Sequence, residues 1–222
     1  MLSVQGIGAT NGKGAGIAVI HKKTLIKFNE KNYGQEAMAL LNEGLTSAID
    51  EIDTLIKLCN ECEELDILIA HKLMLEDEEV KLRITEEINK EEELLRAVKN
   101  VEEYYYNLFK EMPSEIFNSK ALDVEDVFER LLQAIKKQSS SRRINKNFIL
   151  VCEELLPTTI YDYPLEYIKG IVAKKGSMFS HGIIIAKSKN LPVVIGVDIS
   201  VIQQNDYLVV DGLSGKVVLI SE

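Results

Sequence analysis

His181 stands in the run Lys175-Gly176-Ser177-Met178-Phe179-Ser180-His181-Gly182-Ile183-Ile184-Ile185-Ala186-Lys187-Ser188-Lys189-Asn190-Leu191-Pro192. A small, pliable Gly-Ser segment delivers a hydroxyl and an imidazole to the start of an apolar helix of about two turns. Asn190 and Pro192 stop that helix. A ring at a helix N-terminus sits where backbone N–H groups and the macrodipole attract an arriving phosphate. The same dipole disfavours imidazolium, so the spacing predicts a neutral, nucleophilic histidine. The chemistry that fits is covalent carriage of a phosphoryl group on His181.

Around this run the chain changes character twice. Residues 1–28 read as a glycine-rich loop and a strand, Gly16-Ile17-Ala18-Val19-Ile20, with Leu25-Ile26 as a candidate extension. From about Asn32, apolar residues recur at three- and four-residue steps: Ala37, Leu40, Leu41, Leu45, Ala48, Ile49, Ile52, Leu55 and Ile56 form one stripe. A second helical stretch covers about Leu65 to Ile88, bending near Glu76-Asp77-Glu78-Glu79. A third runs from Lys90 through Phe109 towards Pro113, and a fourth carries Leu122, Val127, Leu131, Leu132 and Ile135. Helices this dense, with short connections, predict an antiparallel four-helix bundle.

After Ile144 the pattern turns to short apolar strands at Phe148–Cys152, Ile168–Ala173, Pro192–Gly196, Tyr207–Asp211 and Gly215–Ile220. With helices between some of them, this part predicts an α/β unit. The expected division is 1–28 with 144–222 as the α/β unit and 29–143 as an inserted helical subdomain.

Composition narrows the partners. The net charge is −9. Residues 30–137 carry 27 acidic and 13 basic side chains, and the remainder carries 8 and 13. An acidic middle between mildly basic ends argues against nucleic acid and for a basic protein surface meeting the middle block. No stretch has the roughly 18–20 apolar residues of a membrane span. Cys59, Cys62 and Cys152 make no disulfide framework, which with the plain N-terminus predicts a reducing, cytoplasmic setting. Cys59-x-x-Cys62 falls inside a helical pattern without a second pair, so no metal site is expected. Asn11-Gly12-Lys13-Gly14-Ala15-Gly16 lacks the Gly-Lys-Ser/Thr ending and the following helix of a nucleotide loop. Tyr104-Tyr105-Tyr106 has no basic patch beside it and reads as packing.

The run around His181 resembles the phosphohistidine signature of enzymes that use phosphoenolpyruvate: enzyme I of the sugar phosphotransferase system, pyruvate phosphate dikinase and phosphoenolpyruvate synthase. Gly176, Ser180, His181, Ile184, Ala186, Leu191, Pro192 and Gly196 match the pattern. Ser177, Phe179, Ile183 and Lys187 stand where it has Gly, Thr, Ala and Arg. The order of elements is similar to the N-terminal domain of enzyme I over essentially the whole chain. That resemblance implies an α/β swivelling phosphohistidine domain with an inserted four-helix subdomain that binds the carrier protein HPr. It implies His181 as nucleophile, with Ser180 and Lys187 stabilising charge on the transferring group. A hydroxyl from Thr158 or Thr159 in Leu155-Leu156-Pro157-Thr158-Thr159 would lie nearby.

Ala70-His71-Lys72-Leu73-Met74-Leu75-Glu76-Asp77-Glu78-Glu79-Val80 resembles the segment facing HPr, which implies docking roles for His71, Leu73, Met74, Asp77 and Glu79. Asp123-Val124-Glu125-Asp126 resembles the family's Asp-Val-Arg-Asp, with Glu125 at the arginine position. The implied partners are an HPr-like carrier and the phosphoenolpyruvate-binding domain of the same enzyme. Mg²⁺ is expected only on that other domain, and a monomer is expected. The alternative reading is a diverged binding or regulatory module that has lost transfer.

Overall fold

Five-residue β4 (Phe148–Cys152) has every side chain buried, as a strand covered on both faces of a parallel sheet requires. Its neighbours explain why. In the computed structural model, which describes residues 2–22, 32–59, 62–90, 93–113, 115–137 and 144–220, β4 lies between β3 (Lys13–Ile20) and β5 (Ile168–Ala173), parallel to both. The side chains of residue 62 and of 115–119 lie outside that description, as does the candidate extension at Leu25-Ile26.

The chain folds as two units, Met1–Lys23 with Ser141–Glu222, and Thr24–Ser140. The first is built on a sheet of eight strands. With β1 (Leu2–Gln5), β2 (Ile7–Gly8), β6 (Val193–Ile195), β7 (Tyr207–Asp211) and β8 (Lys216–Ile220), its order is β1-β8-β7-β3-β4-β5-β6-β2. The two edge strands are neighbours in the chain, separated by Gly6 alone. The sheet therefore has to curl until its edges approach, which removes most of the exposed edge. A Cβ on Gly6 would stand 2.5 Å from the Ile195 carbonyl oxygen, so glycine is required at the crossing.

Two features differ from the sequence reading. The glycine-rich stretch is mostly strand: Lys13–Gly16 pair with β7 from Asp211 to Leu208. Glycine weakens a strand on local grounds, but here it admits a neighbouring backbone. A Cβ on Gly14 would overlap the Lys169 carbonyl oxygen, at 1.6 Å. The short edge strands β1 and β2 carry too few residues to show an alternation, and pairing alone creates them.

The second unit holds α1 (Gly34–Leu58), α2 (Cys62–Glu76), α3 (Glu78–Asn89), α4 (Leu94–Lys110) and α5 (Glu115–Ile135). The α1 stripe is core: Ala37, Leu41, Leu45, Ala48 and Ile52 are buried, and Leu40, Ile49, Leu55 and Ile56 pack against them. Helix α1 packs on α2 and α5, and α4 on α5 and α3. The four-helix expectation is corrected to five helices among the described residues. What reads as a bend is a break at Asp77, whose backbone is extended (φ −68°, ψ 116°) and whose carboxylate accepts from the Glu79 N–H at 2.8 Å. An aspartate in this position ends one helix by capping the next.

Candidate functional site

The loops after β3, β4 and β5 all leave the same edge of the sheet, the carboxyl ends of its parallel strands. This is the usual location of ligand sites in such sheets. The loops are tied to one another there. Lys174 N–H donates to the Cys152 carbonyl (3.0 Å), Lys175 N–H to the Glu153 carbonyl (2.8 Å), and His21 N–H to the Val151 carbonyl (2.7 Å). The Lys174 ammonium pairs with the Glu153 carboxylate at 3.2 Å. His21 Nδ1 and the Tyr163 hydroxyl lie 2.9 Å apart. Sequence reasoning passed over His21, whose signal was its place directly after a buried strand.

The loop after β5 ends in α6 (His181–Ser188), with His181 as its first residue and Ser180 as its N-cap. The turn before it is closed by Ser180 N–H to the Ser177 carbonyl (3.1 Å) and Phe179 N–H to Ser177 Oγ (3.3 Å). The carbonyl of Ser180 accepts from Ile183 and Ile184 (3.0 and 3.1 Å). Its hydroxyl, buried with the residue at 3% exposure, makes no capping bond to the helix. His181 is partly exposed.

What seats the helix is the residue that follows His181. A Cβ on Gly182 would stand 2.2 Å from the Leu155 carbonyl oxygen, so α6 lies directly on the loop after β4. Leu155, Thr158 and Thr159 are buried, and α6 packs against the turn Thr159–Asp162. Helix α6 ends as expected, and the reason is visible. Asn190 takes a left-handed conformation (φ 54°), Leu191 N–H reaches the Ala186 carbonyl (3.0 Å) and Asn190 N–H the Lys187 carbonyl (3.0 Å). This pair of bonds is a Schellman motif. Buried Thr10 then straps the exit, its hydroxyl donating to the Leu191 carbonyl at 2.7 Å and accepting from Val193 N–H at 2.8 Å.

Lys187 is exposed in the last turn of α6. Six residues separate it from His181, about 9 Å along the axis and roughly a third of a turn around it. The helix therefore brings Ser180 to the histidine but carries Lys187 to the opposite end, where its charge complements the dipole.

The family model described as "PEP-utilising enzyme, N-terminal" matches residues 5–120, more than half of the chain. The chain belongs to the PEP-utilising enzyme family. A second model, "PEP-utilising enzyme, mobile domain", matches residues 144–215, which include His181. Among curated relatives, the phosphoenolpyruvate-protein phosphotransferase of Latilactobacillus sakei is 24% identical over 99% of this chain and 40% of its own length. That of Priestia megaterium is 30% identical over 69% of the chain and 28% of its own length. The chain thus spans well under half the length of these relatives. Its fold is that of the enzyme I N-terminal domain. A solution structure of an enzyme I protein (nEIt) superposes with a TM-score of 0.70 at 23% identity, covering 99% of this chain and 93% of that one. The N-terminal domain of nitrogen enzyme 1 gives 0.66 at 22%, covering 97% and 93%.

The helical unit sorts the five docking candidates. Leu73 is 61% exposed. Asp77 and Glu79 are exposed, one as the α3 cap and the other bridged to Arg83 at 2.9 Å. Arg83 also lies over the Tyr104 ring, 4.6 Å from its centre. Met74 is partly buried against the core. His71 is a correction: at 1% exposure its ring cannot meet a partner. It sits between Asp123 and Asp126, 3.7 Å from each carboxylate, and neither ring nitrogen has a hydrogen-bond partner. The helical period puts position 71 on the stripe with Leu68 and Leu75, which are core.

Among the described residues, no group of three or more His, Cys, Asp or Glu side chains is placed to hold a metal ion. Nor is any described helix long and apolar enough to cross a membrane.

Proposed function

We propose that this chain is the phosphohistidine-bearing part of an enzyme I-like phosphoenolpyruvate–protein phosphotransferase. The observation that carries the reading is His181, partly exposed as the first residue of α6 and locked there by the contact of Gly182 with Leu155. The imidazole attacks the phosphorus of phosphoenolpyruvate held on another part of the longer protein. An N–P bond forms on His181, the P–O bond to the enol oxygen breaks, and the enolate takes a proton to become pyruvate. In the second step an imidazole of an HPr-like carrier attacks the same phosphorus and His181 leaves. In this reading the positive end of α6 and the Ser180 hydroxyl stabilise the charge that spreads over the transferring oxygens, so catalysis rests on position and electrostatics.

In this reading 1–28 with 144–222 is the swivelling domain, and the helical insertion 29–143 docks the carrier through Leu73, Met74, Asp77 and Glu79. Mg²⁺ belongs with phosphoenolpyruvate on the other part of the enzyme, and no step on this chain is routed through it. The setting is the cytoplasm, and the chain is a monomer.

The test uses radiolabelled phospho-HPr from Bacillus subtilis. Mixed with this chain it should deposit acid-labile, alkali-stable phosphate, and His181→Ala should take up none. Phosphoenolpyruvate alone should label neither protein. Equal labelling of the His181→Ala variant removes the reading, and a wild type that binds HPr without labelling would establish the diverged binding module instead.

A further inference from the structure

Phe179 is the most exposed large apolar side chain among the described residues, at 78%. Nothing in its own turn requires an aromatic ring. The turn is closed by the Ser177 carbonyl and hydroxyl, which hold the Ser180 and Phe179 N–H groups, so any residue at 179 would serve it. An isolated exposed apolar residue needs no explanation, but this one is not isolated. Met178 beside it is 43% exposed, and Ile7 on edge strand β2 is 60% exposed. Ile7 pairs directly with Ile195, so the two side chains share a face. The loop entering α6 lies over that same face, since a Cβ on Gly176 would stand 3.3 Å from Ile195 Cγ2. Two exposed apolar side chains therefore stand in the segment that presents His181, and a third, Ile7, lies on the sheet face that this segment crosses.

The site itself decides what must cover them. A protein that receives phosphate from His181 brings its own nucleophile to about 3 Å from the phosphorus. A specific interface covers about 800 Å² on each partner, a disc of roughly 16 Å radius. Phe179 lies two residues from His181, at most about 7 Å between Cα atoms. A protein docked on the ring covers the backbone at 179, and a side chain this exposed stands within its reach. Buried apolar anchors close to an interface centre carry a large share of binding energy, and an aromatic ring here favours an acceptor with an apolar surface around its receiving residue.

We infer that Phe179, with Met178 beside it, is the residue that selects the protein acceptor at His181. The acceptor's phosphoryl-receiving residue is ringed by apolar side chains. This rests on the function proposed above and adds to it a specificity role for a residue that departs from the family pattern, where a threonine is usual.

The experiment measures phosphoryl exchange between the full chain and phospho-HPr from Bacillus subtilis as its concentration is varied. In Phe179→Ala and Phe179→Thr the half-saturating concentration should rise about tenfold, with the maximal rate within about threefold. Phe179→Leu should restore most of the loss, and all three variants should melt at the wild-type temperature, as expected for an exposed side chain. An unchanged half-saturating concentration in Phe179→Ala overturns the inference and assigns the ring to contact with the remainder of the longer polypeptide. A tenfold loss in Phe179→Ala that Phe179→Leu does not repair also overturns it. Absence of label on the wild type would instead overturn the phosphohistidine reading, so the two failures are distinguishable.

Discussion

Gly182 and Leu155 are in backbone contact: a side chain on the first could not fit beside the carbonyl of the second, because its Cβ would stand 2.2 Å from the oxygen. That contact seats α6, and with it the backbone of His181, on the loop after β4. Alanine is the better helix former, so an isolated helix would gain from Gly182→Ala. In the fold, the methyl group must push α6 off its seat. Gly182→Ala should cost about 1–3 kcal/mol in denaturant unfolding and slow labelling from phospho-HPr at least tenfold. Wild-type labelling at undiminished stability would show that the contact is not what positions the histidine.

The strap at the other end of α6 is separable from the site. Thr10→Val keeps the shape of the side chain but removes both hydrogen bonds to the 191–193 segment. Two buried backbone groups are then left without their partner, a cost of about 1–3 kcal/mol. The unfolding midpoint should fall accordingly while the half-saturating HPr concentration stays put.

Glu102, 4% exposed on α4, has its carboxyl pushed up to about 6 by burial, with Glu125 and Glu129 adding to the effect and Lys99, at 2.6 Å, opposing it. Between the ordinary carboxylate value and about 6, the folded state therefore holds a proton that the unfolded state has released. Stability should fall as pH rises through that window, by about 2 kcal/mol in all, and level off above it. Glu102→Gln should flatten the slope and be the more stable protein above pH 6. A variant with the wild-type profile would show that another group titrates there.

Docking and core packing part company within one segment of α2. Leu73→Asp changes an exposed side chain, so stability should move by no more than about 0.5 kcal/mol while the half-saturating HPr concentration rises about tenfold. His71→Ala empties a buried site and leaves Asp123 and Asp126 facing a void, which should cost about 2–4 kcal/mol in thermal or urea unfolding. The reverse pattern would restore His71 to the docking surface.

Much of this was legible in the chain because it depends on local order. The α1 stripe, the wholly apolar β4 and the Asn190 stop each express a short-range rule about spacing, burial or backbone conformation. The residues of the His181 run likewise announced a helix that opens on a histidine. What could not be read locally concerns partners distant in sequence. Gly14 and Gly182 look like weak points in a strand and a helix, yet each admits the backbone of a residue far along the chain. His71 shares the polar type of a docking residue, and only the packing of α5 against α2 encloses it. Lys187 sits close to His181 in sequence but a full helix length away in space. By itself, then, the sequence determined the long helices, the central strands and which histidine is the candidate carrier, since these follow from nearest-neighbour periodicity. The tertiary structure alone decided which distant backbones approach one another and which side chains are sealed away, because contact distances depend on how far-apart segments pack.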